Sequence, residues 1–282
     1  MPKSANKKVL LGMSGGLDSS AAALLLQQQG WEVVGATLQL PEFQQGAKFT
    51  NDGYIRQAAG LAAELGMAHH VVDAQQAFQD EIIAEFVREY LNGRTPNPCV
   101  TCNRKIKWGM LQPLADELGC GYIATGHYAQ IHDRHGAPLV ATAADTTKDQ
   151  SYFLWQLTQA ALARTLFPLG GHTKAEIREI AAQAGWEKIV GQKESLDVCF
   201  IPDNDYRKFL RSAVEGLAKR LEGGRFVYPD GTEIGRHQGF PFYTIGQRKG
   251  LGVAVGHPLY VQKIDAATNT ITLGEKPALR AD

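Results

Sequence analysis

Apolar positions in the first 130 residues alternate between short runs and longer helix-forming blocks. KKVLLG at 7–12 is short and mostly apolar and predicts a first strand; SSAAALLLQQQ at 19–29 follows, rich in the best helix formers. EVVGATL at 32–38 predicts a second strand, residues 54–65 a helix, and HHVV at 69–72 a third strand. Helices are then expected from about 75 to 90 and from about 103 to 118, and YIAT at 122–125 reads as another strand. Strands alternating with helices imply βαβ crossovers, so the prediction is an α/β fold with a mostly parallel sheet and helices on both faces. Ligands of such sheets bind at the carboxyl ends of the strands.

The middle of the chain reads as helical. Thr173-Lys174-Ala175-Glu176 has the form of a capping box opening a helix that ends near Gly185. From about Glu222 the character changes. RFVY, the turn-like Pro229-Asp230-Gly231, a glycine-rich stretch over 235–256, LYVQKI and NTITL predict short antiparallel strands. The boundary is expected near residue 205, giving one domain over 1–205 and a small β-rich domain over 206–282.

Hydrophobic residues make up 44% and charged residues 21% of the 282, which excludes disordered, collagen-like and coiled-coil classes. Lys+Arg and Asp+Glu are 29 each, so a uniformly basic nucleic-acid coat is excluded, though a local basic face is not. No apolar run is long enough to span a membrane, and MPKSANKK runs into an apolar stretch too short for a signal-peptide core. A cytoplasmic protein with reduced thiols is expected, and the four cysteines are Cys99, Cys102, Cys120 and Cys199.

Ser14-Gly15-Gly16-Leu17-Asp18-Ser19-Ser20 lies between the first strand and the first helix. Paired glycines turn tightly and bare their N–H groups, the helix start adds partial positive charge, and the serines add hydroxyls. Phosphate or pyrophosphate is the anion this cradle suits, and Asp18 could hold Mg²⁺. The loop has neither the Gly-Lys-Ser/Thr ending of a Walker loop nor a G-x-G-x-x-G. The plain alternative is a strand-to-helix turn capped by serine.

SGGLDSS resembles the PP-loop of the ATP pyrophosphatases, the adenine nucleotide alpha-hydrolase-like fold that cleaves ATP between its α and β phosphates. Further words are similar to the MnmA-type tRNA 2-thiouridylases: Thr95-Pro96-Asn97-Pro98, Cys102-Asn103, Ile106-Lys107, Ala124-Thr125-Gly126-His127-Tyr128, Lys148-Asp149-Gln150-Ser151-Tyr152-Phe153-Leu154, Cys199-Phe200-Ile201 and the stretch Tyr243-Thr244-Ile245-Gly246-Gln247-Arg248-Lys249-Gly250. The likeness runs from about 7 to 275. It implies adenylation of a tRNA uridine, at the wobble position, followed by sulfur transfer, with ATP and Mg²⁺ required.

By that resemblance Gly12, Met13, Ser14, Gly15, Gly16, Leu17, Asp18 and Ser19 hold ATP, Leu38 contacts the adenine and Gly126 lies beside the nucleotide. Asn97 and Pro98 face the target base, and His127, Lys148, Asp149 and Gln150 touch tRNA. Cys199 carries a persulfide, and Cys102 is the thiol that releases sulfide or closes a disulfide with Cys199. Each has a bland rival: a strand-end cap for His127, a solvated turn for 148–150, a small buried apolar residue for Cys199. Cys120 matches no functional position and reads as core packing.

Three departures stand out. Cys99 replaces the aspartate usual in Thr-Pro-Asn-Pro-Asp, making a C-x-x-C that, by the resemblance, faces Cys199 across the active site. Three such thiols suit a [4Fe–4S] cluster that delivers sulfide from its open iron, the favoured expectation; a further redox thiol and a neutral replacement are the alternatives. The usual C-terminal β-barrel is not expected in this chain. Residues 40–51 replace an acidic stretch and predict a mobile loop over the nucleotide. Arg94, Arg104, Lys105 and Lys107, then Arg207, Lys208, Arg211, Lys219, Arg220 and Arg225, and Arg248 with Lys249, supply basic groups for tRNA. The expected partners are tRNA and a sulfur donor, either a persulfide carrier or free sulfide, with the protein a monomer or homodimer. A different PP-loop adenylating ligase, or a non-catalytic tRNA- or nucleotide-binding paralogue, are the rival functions.

Overall fold

The computed structural model describes residues 7–42, 51–191, 198–201 and 204–275. Two compact units make up the chain. One comprises Met1–Ile82 with Cys99–Phe200, the other Ile83–Pro98 with Ile201–Asp282.

The first unit is built on a parallel sheet. β1 (Lys8–Gly12) leads through the glycine loop to α1 (Leu17–Gln28); β2 (Glu32–Gln39), α2 (Asn51–Glu64), β3 (His69–Asp73) and the short α3 (Gln75–Phe78) follow. The chain then crosses into the second unit through a π-helical turn, Gln79–Ile83, and α4 (Ala84–Leu91). It returns as α5 (Pro98–Thr101), a second π turn (Cys102–Trp108) and α6 (Gly109–Glu117), and β4 (Tyr122–Thr125) joins the sheet. A hairpin of β5 (Gln130–Arg134) and β6 (Ala137–Ala141), α7 (Gln159–Ala163), β7 (Thr165–Leu166), α8 (Lys174–Gln183) and α9 (Glu187–Val190) complete it. Strand order is β3-β2-β1-β4-β7, with every pairing parallel. β1 has β2 on one side and β4 on the other, so the order reverses at β1/β4, where doubly wound sheets open a ligand crevice.

Both faces of that sheet are covered by apolar clusters. On one, Val9 and Leu11 pack with Ala21, Ala22, Leu25 and Leu26 of α1 and Ile177 and Ala181 of α8. On the other, Leu10 and Ile123 pack with Trp108, Leu111 and Cys120, so Cys120 is the packing residue expected. Alternate residues of β1 thus serve opposite faces, as strand pleating requires.

The second unit also contains α10 (Tyr206–Ala213), α11 (Leu217–Leu221) and four strands, β8 (Gly224–Val227), β9 (Glu233–His237), β10 (Tyr260–Asp265) and β11 (Thr270–Gly274). Their order is β10-β11-β8-β9. The expectation of purely antiparallel strands is corrected here: β11 pairs with β8 in parallel. The hairpin β5–β6 corrects the reading of the middle section as helical. Its tip, His135-Gly136, has positive φ at both residues, 56° and 83°, the geometry that joins two strands with two residues. Among the described residues no helix is long and apolar enough to cross a membrane. The expectations for residues 43–50 fall outside the described residues.

Candidate functional site

Gly12 of β1 is in register with Ala36 of β2 and Thr125 of β4, so the glycine loop and Gly126 leave β1 and β4 side by side at the sheet's carboxyl edge, while β2 runs on through Leu38, which pairs with Val72 of β3. The loop is tightly constrained. Met13 N–H donates to the Ala36 carbonyl at 2.7 Å, Ser19 Oγ accepts from Ser14 N–H at 3.2 Å, and Ser19 and Ser20 hydroxyls donate to the Gly16 carbonyl at 3.1 and 2.9 Å. Gly15 has φ +74°, and a Cβ there would stand 2.8 Å from the Tyr54 carbonyl. A Cβ on Gly126 would stand 2.8 Å from Ser19 N and 2.9 Å from the Asp18 carbonyl carbon. Strand β4 therefore backs directly onto the first turn of α1.

The N-cap of α1 is Gly16, which makes no side-chain cap bond. No serine side chain caps α1, and an uncapped helix start is the kind of place where anions bind. Leu38, expected to contact the adenine, is held by Tyr54, whose hydroxyl donates to the Leu38 carbonyl and accepts from Leu40 N–H, both at 3.0 Å.

Asp18 is not free. Its carboxylate accepts from Lys174 Nζ at 2.7 and 2.9 Å and from the Tyr128 hydroxyl at 3.0 Å. Lys174 is 6% exposed and also lies over the Tyr128 ring, 5.6 Å from its centre. The expected capping box at Thr173 and Glu176 is present and sets Lys174 at the first position of α8.

The thiols occupy one helix and one loop. Cys99 lies in α5, and Cys102 opens the π turn. Backbone bonding in a π turn runs five residues apart, which brings Lys107 onto the face that carries Cys102. Burial raises the thiol pKa of Cys99 and of Cys102, and Lys107 pulls both the other way. Cys199 is pushed up to about 12, first by burial of the thiol, then by the neighbouring charges of Cys102 and Cys99, with Lys107 opposing. The Cys199 residue as a whole is nevertheless exposed. All three thiols are protonated at neutral pH, and they share one cation.

His127 holds that cation. Lys107 Nζ donates to His127 Nε2 at 3.1 Å, and Nδ1 pairs with the Thr125 hydroxyl at 2.7 Å. Because Nε2 accepts, the proton is on Nδ1 and the ring is neutral. Burial, reinforced by Lys107, holds its pKa well below the usual histidine range. His127 is thus a buried support here.

The stretch expected to touch tRNA is also internally bonded. Asp149 accepts from Ala143 N–H and the Ser151 hydroxyl at 2.8 and 2.7 Å, and Gln150 accepts from Tyr128 N–H at 3.0 Å. Lys148 N–H closes a turn on the Asp145 carbonyl. These bonds present Ser151–Phe153, where Tyr152 is 58% exposed. Asn97 is exposed and Pro98 buried at the start of α5. Asn103 donates to the Phe153 carbonyl at 3.1 Å, tying the thiol helix to that aromatic turn.

No three His, Cys, Asp or Glu side chains among the described residues form a group that could hold a metal ion. The three cysteines, expected as cluster ligands, are within electrostatic reach of one another but are not so gathered. Lys174, Tyr54 and Tyr128 are site residues that sequence reasoning did not assign, and Lys107, expected only among the basic groups for tRNA, lies instead with His127 and the thiols. Lys107 carried a signal, its place in a family word beside the cysteines. Lys174 carried none beyond its capping box.

Similarity to known proteins agrees with this layout. A family model described as a tRNA methyl transferase HUP domain matches residues 7–203, and one described as a tRNA methyl transferase PRC-barrel domain matches 211–275. A tRNA-specific 2-thiouridylase MnmA of Amoebophilus asiaticus is 49% identical over 98% of this chain and 75% of the relative. The protein of the same name from Salinibacter ruber is 48% identical over 96% of this chain and 73% of its own. Among solved structures, a U34-tRNA thiolase NcsA from Methanococcus maripaludis, with its [4Fe-4S] cluster, is 20% identical with a TM-score of 0.42, covering 76% of this chain and 66% of that one. The chain thus spans about three quarters of the curated relatives' length. On the match of the HUP-domain model and these identities, the chain belongs to the MnmA family of tRNA-specific 2-thiouridylases.

Proposed function

We propose that this protein catalyses ATP-dependent 2-thiolation of a tRNA uridine, the wobble uridine by resemblance. The observation that carries the reading is the pairing, in one unit, of an uncapped glycine loop at the sheet's carboxyl edge with three mutually interacting thiols around Lys107. A nucleotide cradle alone fits any adenylating ligase. The thiols are what a sulfur transferase needs in addition.

In this reading residues 12–19 bind ATP, with Leu38 and Gly126 flanking the nucleoside. The uridine 2-oxygen attacks the α-phosphorus and pyrophosphate leaves, which converts a poor leaving group into AMP. Cys199 takes the outer sulfur of a donor persulfide, the donor leaving as its thiol, and the terminal sulfur of the resulting Cys199 persulfide attacks C2, so that AMP departs with the former 2-oxygen. Cys102 then attacks the Cys199 sulfur, releasing the 2-thiouridine and leaving a Cys102–Cys199 disulfide for an external thiol to reduce. Lys107 favours the thiolate at each of these steps. The division of labour follows the expected domains, with nucleotide and sulfur chemistry on 1–205 and 206–282 contributing to RNA binding. Asn97, Pro98, Lys148, Asp149 and Gln150 are assigned to the RNA side, the last two by shaping the turn that carries Tyr152. An RNA-bound base must leave its stack to reach a thiol. Mg²⁺ enters with the ATP phosphates, as this ion commonly does.

A second reading, favoured by the C-x-x-C and the third cysteine within its electrostatic reach, places a [4Fe–4S] cluster on Cys99, Cys102 and Cys199. Among the described residues these side chains are not gathered as a metal-holding group. Anaerobically purified protein that is brown, with near-stoichiometric iron and sulfide lost in Cys99→Ala, establishes this reading; colourless, fully active protein removes it. The adenylation step is tested by pyrophosphate release. It should require unmodified tRNA as well as ATP and persist in Cys199→Ala; release independent of tRNA contradicts the proposed substrate.

A further inference from the structure

The glycine loop contains no lysine or arginine between Gly12 and Ser20. A pyrophosphate group carries several negative charges, and backbone N–H groups supply only partial ones. A cation from far along the chain reaches the loop. Lys174, 156 residues after Asp18, enters at the start of α8 and binds both carboxylate oxygens of Asp18.

Its placement is over-determined. The capping box fixes its position on the helix, its backbone N–H donates to Asp145 Oδ2 at 3.0 Å, and the Tyr128 ring lies beneath its ammonium. Burying an ammonium is costly and needs a reason. Tying α1 to α8 is a weak one, because Ile177 and Ala181 already pack with Ala21 and Ala22 in the apolar core. Asp18, meanwhile, has both oxygens committed to Lys174 and is not set out as a free Mg²⁺ ligand.

We infer that Lys174 is the phosphate-binding cation of the glycine loop, with Asp18 and Tyr128 as the groups that hold it in position. This rests on the reading of the loop as an ATP site. On binding, the ammonium shares its donors between Asp18 and a phosphate oxygen, the role a lysine within the loop plays in Walker sites.

The test is calorimetric titration of the full chain with pyrophosphate in EDTA, with ATP, and with adenosine. Lys174→Met should weaken pyrophosphate binding by about tenfold or more, the loss of one charge-assisted contact. Lys174→Arg should restore most of it, and adenosine binding should not change. A purely structural ion pair would lower melting temperature and affect both ligands alike. If Lys174→Met folds poorly, Asp18→Asn combined with Lys174→Met removes the unpaired carboxylate. That pair must bind pyrophosphate at least about tenfold more weakly than Asp18→Asn alone. Folded variants that bind pyrophosphate as their lysine-containing parents do overturn the inference and leave the ATP reading intact. Wild-type protein that binds neither ATP nor pyrophosphate overturns both.

Discussion

The Lys107 ammonium lies 3.1 Å from Nε2 of the buried, neutral His127, and its charge acts on the Cys99, Cys102 and Cys199 thiols. Histidine supports lysine, and lysine sets the thiol chemistry. Burial opposes thiolate formation at all three sulfurs, and Lys107 is the one cation that opposes burial at every one of them.

Removing that charge should therefore be visible in reactivity. Lys107→Met is expected to slow alkylation of Cys199 by iodoacetamide at pH 8–9 by on the order of threefold to tenfold, a pKa rise of up to about one unit. Lys107→Arg should retain most of the rate. Peptide-resolved mass spectrometry of the alkylated protein measures this, and an unchanged pH profile in Lys107→Met contradicts the assignment.

The loop itself admits little change. Gly15→Ala places a Cβ against the Tyr54 carbonyl in a left-handed backbone conformation. A cost of about 1–3 kcal/mol is expected, together with loss of ATP binding. Chemical denaturation and ATP titration on the same preparation read out both.

Gly126→Ala is a subtler case. Its backbone conformation is open to any residue, but the new methyl meets the Asp18–Ser19 peptide at 2.8–2.9 Å. The first turn of α1 has to move while the core of the sheet does not. Weakened ATP binding with cooperative unfolding retained is the expected pattern. ATP affinity equal to wild type would show that β4 does not set the loop.

In the second unit, burial among Phe226 and Tyr243 depresses the pKa of His237 to about 4, and Gly239 N–H donates to its Nδ1. The unfolded chain takes up this proton near pH 6.5 and the native state only near 4. Between those values the unfolded state binds more protons, so stability falls as pH falls. The full window corresponds to about 3 kcal/mol. Urea unfolding followed between pH 7 and 4 should show a shallower loss in His237→Phe.

The legible parts of this molecule were those written locally. A short apolar run, two glycines and a helix-forming block announce β1, the loop and α1, and Thr173 with Glu176 announces α8. The hairpin at 130–141 escaped because its turn, His135-Gly136, sits between strands with little apolar alternation. The parallel pairing of β11 with β8 is a matter of distant neighbours, which turn signals do not encode. Lys174 meets Asp18 across 156 residues, so no spacing rule reaches it. The meeting of Cys199 with Cys99 and Cys102 was available only through family likeness, and so was the role of Leu38. Gln150 and Asp149 show the reverse: their place in a family word was plain, but only the structure shows them bonded to Tyr128 and Ala143 backbone.

The central claim is that this chain turns a tRNA uridine into 2-thiouridine using its own cysteines. Nucleoside mass spectrometry of unmodified tRNA tests it, after anaerobic incubation with the protein, ATP, Mg²⁺ and a persulfide donor, with Cys199→Ala in parallel. 2-Thiouridine is expected with the wild-type chain and none with the variant. Thiolation that persists in Cys199→Ala, or its absence from a wild-type reaction that still releases pyrophosphate with tRNA, would contradict it.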